Sequence, residues 1–133
     1  MTTDRFPRVV VRRKVEWVDT DAAGHHHHGA ILRWVEVAET ELLTSIGQTG
    51  LFGRIPRVHY EVDYRSRLWF GQDLDIEIGI VRVGERSIGY EFEVRSADVV
   101  AATGKLVITM AAPDSPHATP WPDDVRKALT GVE

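Results

Sequence analysis

Only one stretch of this chain has the pattern of a long helix, and the rest must be arranged to cover it. Between Gly29 and Gly47 apolar residues recur at Ile31, Val35, Ala38, Leu42 and Ile46, the spacing of one helical face. Trp34, Val37 and Leu43 widen that face to most of the circumference, so the helix is expected to be largely buried. Arg33, Glu36, Thr40 and Thr44 form the remaining polar strip, and Gly47 supplies a left-handed stop.

The covering element is legible as a series of strands. Arg8 to Asp19 keeps Val9, Val11, Val15 and Trp17 on one parity, interrupted by Arg13, and predicts a half-buried strand. Residues 48–56 are rich in turn formers and predict a loop. From Arg57 to Arg67, Val58, Tyr60, Val62 and Tyr64 alternate with His59, Glu61, Asp63 and Arg65. A turn at Phe70 to Asp73 precedes Leu74, Ile76, Ile78 and Ile80. A hairpin turn at Gly84 to Ser87 precedes Ile88, Tyr90, Phe92 and Val94. A last strand runs from Val99 to Ala111, and Asp123 to Leu129 predicts a short helix with Pro122 near its first turn. One strand, one helix and four more antiparallel strands make an α+β chain with a five-stranded sheet. The expectation is one domain over 1–133, with a loose lead-in at 1–7 and a Pro-rich tail at 113–133.

Composition narrows the function classes. A chain of 133 residues, 43% hydrophobic, suffices for one core. A net charge of −4 argues against binding nucleic acid through its phosphates. The absence of cysteine excludes disulfides, thiolate catalysis and cysteine metal sites. With no signal-peptide pattern and no membrane-spanning stretch, a cytoplasmic location is the expectation. Edge strands and the leftover apolar residues Trp69, Phe70 and Trp121 suggest either oligomer contacts or packing under loops.

The candidate chemistry lies just before the helix, where Asp19-Thr20-Asp21 leads through Ala22, Ala23 and Gly24 into His25-His26-His27-His28. The first turn of a helix carries free N–H groups and partial positive charge. A carboxylate beside it forms a working geometry for attack on a carbonyl. The plainer reading is an acidic turn that caps a helix. Four adjacent histidines point in different directions and cannot share one ion. His25 and His28, three apart, could with Asp21 make a weak metal site, but the expected metal content is none. The expected arrangement has one or two histidines lining a site and the others packed or solvated.

These residues carry a resemblance. Asp19-Thr20-Asp21-Ala22-Ala23-Gly24 after the first strand, Arg33-Trp34-Val35-Glu36 on the helix, and Val62 to Asp73 running into a glycine turn resemble the hot-dog-fold acyl-CoA thioesterases of the 4-hydroxybenzoyl-CoA thioesterase-like family. The resemblance spans nearly the whole chain. It implies a sheet wrapped around one central helix, and hydrolysis of an acyl thioester, aromatic or short to medium aliphatic. It implies that Asp21 is the general base or nucleophile, and that the N–H at His28, seven residues on, stabilises the oxyanion. His25, Gly29, Arg65, Arg67 and His59 are the substrate-binding candidates. The arginines, with Arg86, suit the phosphates of coenzyme A. Glu36 is a weaker catalytic candidate, and the plainer reading of His59 is an exposed strand residue.

The implied substrate is an acyl-CoA or acyl-pantetheine, with coenzyme A as part of the substrate and no separate cofactor. The implied assembly is a homodimer or homotetramer. The chain departs from many relatives at His25, His26 and His27, at Arg67, where many have proline, and at Gln72, which separates Gly71 from Asp73. Alternatives in other classes are a non-catalytic acyl-binding protein of the same fold and a hydratase or dehydratase.

Overall fold

The structure is a computed structural model that describes residues 6–114 and 116–131. The first five residues of the expected 1–7 lead-in and the tail positions 115, 132 and 133 lie outside the described residues. The elements are β1 (Arg8–Lys14), α1 (Ala30–Ser45), β2 (Arg57–Tyr64), β3 (Asp73–Val83), β4 (Ser87–Ser96), β5 (Val99–Thr109) and α2 (Asp123–Thr130). The five strands form one antiparallel sheet in the order β1-β3-β4-β5-β2. This is the α+β architecture that the sequence predicts.

The apolar stripe of α1 is buried as expected. Ile31, Val35, Ala38, Leu42 and Leu43 have no exposed surface, and α1 packs against β1 and β3. The sheet answers with Ile76, Ile78 and Ile80 of β3, Ile88, Tyr90 and Val94 of β4, and Leu106 and Ile108 of β5, all buried. The helix stops where the sequence places its stop. Gly47 sits at φ +74°, its N–H bonds the Thr44 carbonyl, and the Gln48 N–H reaches back to Leu43 at 2.8 Å. That pair of bonds is the Schellman closure of a helix.

The outer face of the sheet is polar. Arg12 pairs with Asp75, Lys14 with Asp73, and Arg95 with both Glu77 and Glu93. Exposed pairs of this kind contribute little individually. Among the described residues no helix is long and apolar enough to cross a membrane.

Two expectations need correction. The first strand ends at Lys14 rather than Asp19, and Trp17 is 77% exposed rather than half-buried. The cause is a 3-10 turn over Trp17–Asp19, in which the Asp19 carboxylate accepts the Glu16 N–H at 2.7 Å. That turn breaks the alternation before Trp17. Second, β2 ends at Tyr64 rather than Arg67, because the Arg65 and Ser66 N–H groups both turn to the Ala101 carbonyl. Val58 and Tyr64, though on the expected side, stay about half exposed on this edge strand. Of the leftover apolar residues, Trp121 takes the packing alternative: it is buried, its indole N–H bonding the Ser87 carbonyl, beside the start of α2. Trp69 and Phe70 remain exposed.

The sequence pattern gives no warning of Glu39, which is buried on α1. It is held by Arg57 at the start of β2, with the Tyr90 hydroxyl beside it. Burial raises the Glu39 carboxyl above its ordinary value, and Arg57 opposes that rise.

One close approach sets the sheet's tolerance. Gly104 of β5 lies between Val62 and Phe92, and a Cβ there would come within 2.1 Å of the Glu61 carbonyl and 2.4 Å of the Phe92 ring. Gly104→Ala is therefore expected to cost roughly 2–3 kcal/mol by overpacking and to lower the thermal midpoint by about 5–10 °C. Calorimetry showing an unchanged midpoint would mean that β2 and Phe92 give way freely.

Candidate active site

The segment between the 3-10 turn and α1 is folded by its own side chains. Asp19 is buried. One of its carboxylate oxygens takes the Glu16 N–H and the other meets the Arg33 guanidinium from α1. Its carbonyl accepts the His27 N–H at 2.6 Å. The first aspartate of the motif is thus structural. The second is not buried. The Asp21 Oδ1 accepts the Ala23 N–H at 2.9 Å, closing a tight turn, and the Asp21 carbonyl accepts from Gly24. Gly24 adopts φ +89°, a left-handed conformation that suits glycine, with the Trp69 ring alongside. The Asp21 Oδ2 has no hydrogen-bond partner among the described residues, and the residue is exposed.

The four histidines have four different surroundings. His25 is half-buried, edge-on to Trp69 at 5.7 Å. His26 is buried, with Tyr64 stacked on it and Trp34 tilted against it. It is bonded twice to the strap that follows β2: its N–H donates to the Leu68 carbonyl at 2.7 Å, and its Nδ1 accepts the Leu68 N–H at 3.1 Å. The His27 Nδ1 accepts the Gly29 N–H at 3.0 Å. His28 stacks its ring on His27, with centroids 4.3 Å apart. The His28 carbonyl accepts from the Tyr64 hydroxyl at 3.0 Å, while its own N–H has no partner among the described residues.

Asp21, His25, His26 and His28 line one open depression of about 410 Å³ with Tyr64, Arg65, Ser66 and Arg67. The structure therefore brings together five of the seven sequence candidates: Asp21, His28, His25, Arg65 and Arg67. Gly29 is the N-cap of α1, and its N–H is already taken by His27. His59 stands apart on β2, exposed and paired with Glu61 at 3.0 Å. Glu36 is bound to Arg57 beside a separate depression of about 810 Å³ at the Pro56 and Pro113 end of the sheet. Arg86 lies in the hairpin between β3 and β4. A third cleft, about 480 Å³, crosses the charged outer face of the sheet. Of the three, only the first joins a free carboxylate oxygen to an unpartnered N–H at a helix entrance, which is what attack on a carbonyl requires.

Sequence reasoning missed Tyr64 and His26 as parts of this wall. Tyr64 was legible only as a strand residue, because its hydroxyl contact is long-range. Gln72, a departure from the resembled pattern, closes its own turn by accepting the Trp69 N–H at 2.7 Å. No group of three or more His, Cys, Asp and Glu among the described residues is arranged to hold a metal ion.

A family model described as the thioesterase-like superfamily matches residues 15–129. A 1,4-dihydroxy-2-naphthoyl-CoA hydrolase of Prochlorococcus marinus strain MIT 9303 is 30% identical, with 71% of each chain covered. Two solved structures superpose closely. A gentisyl-coenzyme A thioesterase has a TM-score of 0.80 and 25% identity, with 91% of this chain and 98% of that chain covered. A thioesterase of Thermus thermophilus complexed with coenzyme A and Zn has a TM-score of 0.84 and 24% identity, with 95% of this chain and 93% of that chain covered. The hot-dog fold is thus shared across the chain.

The His26 contacts carry a pH dependence. An N–H can only donate, so the Nδ1 facing Leu68 bears no proton and the ring is neutral. Burial, and then the neighbouring His25, lower the His26 pKa from 6.5, with the charge of Asp21 pulling the other way. The unfolded chain thus takes up this proton at higher pH than the folded chain. The stability His26 contributes is complete above pH 6.5 and is lost as pH falls below it, toward the folded-state value. Thermal midpoints measured between about pH 7.5 and about pH 5.5 are expected to fall less for His26→Asn, which keeps an acceptor toward Leu68, than for the wild type. Equal slopes would assign the acid loss to other groups.

Proposed function

We propose, for a chain that belongs to the thioesterase-like superfamily and is an acyl-CoA thioester hydrolase, that Asp21 and the His28 N–H carry out hydrolysis of an aromatic acyl-CoA. The observation that carries this reading is the placement of a free carboxylate oxygen and an unpartnered backbone N–H in one depression at the N-terminus of α1.

The thioester carbonyl oxygen docks on the His28 N–H, where the positive end of the helix dipole favours the charge it will acquire. The Asp21 Oδ2 removes a proton from water as the water oxygen bonds to the carbonyl carbon. The tetrahedral oxyanion collapses, the carbon–sulfur bond breaks, and coenzyme A leaves as a thiolate. The proton on Asp21 returns to solvent or to the thiolate, regenerating the base. In the nucleophilic variant the same oxygen attacks the carbonyl directly and water cleaves the resulting anhydride. Loss of an oxyanion donor of this kind costs about 3–4 kcal/mol of transition-state stabilisation.

Arg65 and Arg67 stand at the mouth of the depression and suit the coenzyme A phosphates. Tyr64, His25 and His26 give it flat ring walls that suit an aromatic acyl group. The acyl groups in the names of the dihydroxynaphthoyl and gentisyl relatives are also aromatic. No cofactor is required, since coenzyme A arrives with the substrate. The free edge of β2, with Val58 and Tyr64 about half exposed, suits pairing with a second copy in a homodimer or homotetramer.

Thiol release from aromatic and aliphatic acyl-CoAs tests the reading. The wild type is expected to turn over aromatic thioesters fastest, and Asp21→Asn to lose about a hundredfold or more in kcat. Full activity in Asp21→Asn would remove Asp21 from the mechanism, and faster turnover of aliphatic thioesters would overturn the aromatic assignment.

A further inference from the structure

The His28 N–H is held in place from both sides, and one histidine supplies most of the restraint. His27 is tied through three of its atoms: its N–H to the Asp19 carbonyl at 2.6 Å, its carbonyl to the Ala30 N–H at 2.9 Å, and its Nδ1 to the Gly29 N–H at 3.0 Å. The peptide between His27 and His28 is thereby fixed at its oxygen. The peptide between His28 and Gly29 is fixed at both ends, by Tyr64 at its carbonyl and by His27 at its N–H. The His28 N–H is the one polar backbone group of these two peptides left open to a ligand.

Helix entrances are usually satisfied by a Ser, Thr, Asp or Asn side chain at the N-cap. Here the N-cap is Gly29, which has no side chain to offer. The imidazole two residues earlier instead takes the N–H of the N-cap residue itself, and no side chain caps the first turn. The fit is close, since a Cβ on Gly29 would stand 3.2 Å from the His27 Nδ1. The His28 ring covers the other side of the His27 ring at 4.3 Å.

We propose that His27 is a positioning residue of the thioesterase reaction: its imidazole occupies the Gly29 N–H and, with Tyr64, aims the His28 N–H as the backbone oxyanion donor just before the helix. The proposal rests on the reading of the His28 N–H given above. The stacked His28 imidazole faces the His27 ring. Asp19 and Arg33 are spent on each other.

The test compares His27→Ala, His27→Asn and Tyr64→Phe with the wild type, using the best acyl-CoA of the panel. His27→Ala is expected to lower kcat about tenfold to a hundredfold, as a misplaced donor does, with KM within about threefold. His27→Asn, which restores an acceptor, is expected to recover kcat to within about threefold. Tyr64→Phe is expected to lower kcat in the same sense. Wild-type kcat in His27→Ala would overturn the proposal, as would an Asn variant that melts like the wild type yet is as slow as Ala.

Asp21→Asn separates the two readings: its full activity would remove the base assignment while leaving the His27 comparison readable. A measurement without turnover stands beside these. Amide exchange at Gly29, followed by NMR, is expected to accelerate about tenfold or more in His27→Ala and to stay slow in His27→Asn. Unchanged exchange in His27→Ala would overturn the proposal whether or not a substrate has been found.

Discussion

The buried carboxylate of Asp19 is the tie on which the site depends. Its two oxygens join the 3-10 turn to α1 through Glu16 and Arg33, and its carbonyl holds the histidine segment through His27. A carboxylate without exposed surface is stable only when its charge is met, and here Oδ2 accepts the Glu16 N–H while Oδ1 faces the Arg33 guanidinium. Removing one partner from such a pair typically costs about 3–5 kcal/mol, less here because Arg33 remains half exposed. The result is that Asp21, two residues on, can stay in solvent without loosening the chain around it. One aspartate is fixed so that the other is free to react.

The fold was legible because its periodicities are unmixed. The α1 stripe at Ile31, Val35, Ala38 and Leu42 and the strand alternation at Ile76, Ile78 and Ile80 each obey one period, and burial follows both. The reading failed where a side chain or a distant carbonyl captured the backbone. Asp19 closing on Glu16 ended β1 early and exposed Trp17, and the Ala101 carbonyl drew Arg65 and Ser66 out of β2. Neither contact leaves a periodic trace. The site was legible to the extent that it lies on one continuous segment, so Asp21 and His28 could be named. Tyr64 is 36 residues from its acceptor, and no local pattern announces that bond.

Glu39 shows the same limit within the helix. It sits one turn from Val35 and beside Ala38, inside the apolar surface, yet its carboxylate reaches Arg57 on β2. A hydrophobic residue of that size would pack with less desolvation. The ion pair instead fixes the middle of α1 to the start of the edge strand, while Tyr64 fixes the end of that strand to the helix entrance. The edge strand is thus fastened to the helix segment at both of its ends, and the wall of the depression inherits that rigidity.

The histidine run reads as a repeated letter, but its members are not interchangeable. His25 lines the depression, His26 fastens the strap at Leu68, His27 takes the Gly29 N–H, and His28 presents the open N–H. A homopolymeric run invites insertion or deletion of one unit, and such a change would leave the local composition nearly untouched. Here it would move every imidazole into its neighbour's task and alter the separation of Asp21 from the helix entrance. The length of the run is therefore under a stricter constraint than its chemistry, and counting histidines along this segment amounts to measuring the spacing of the site.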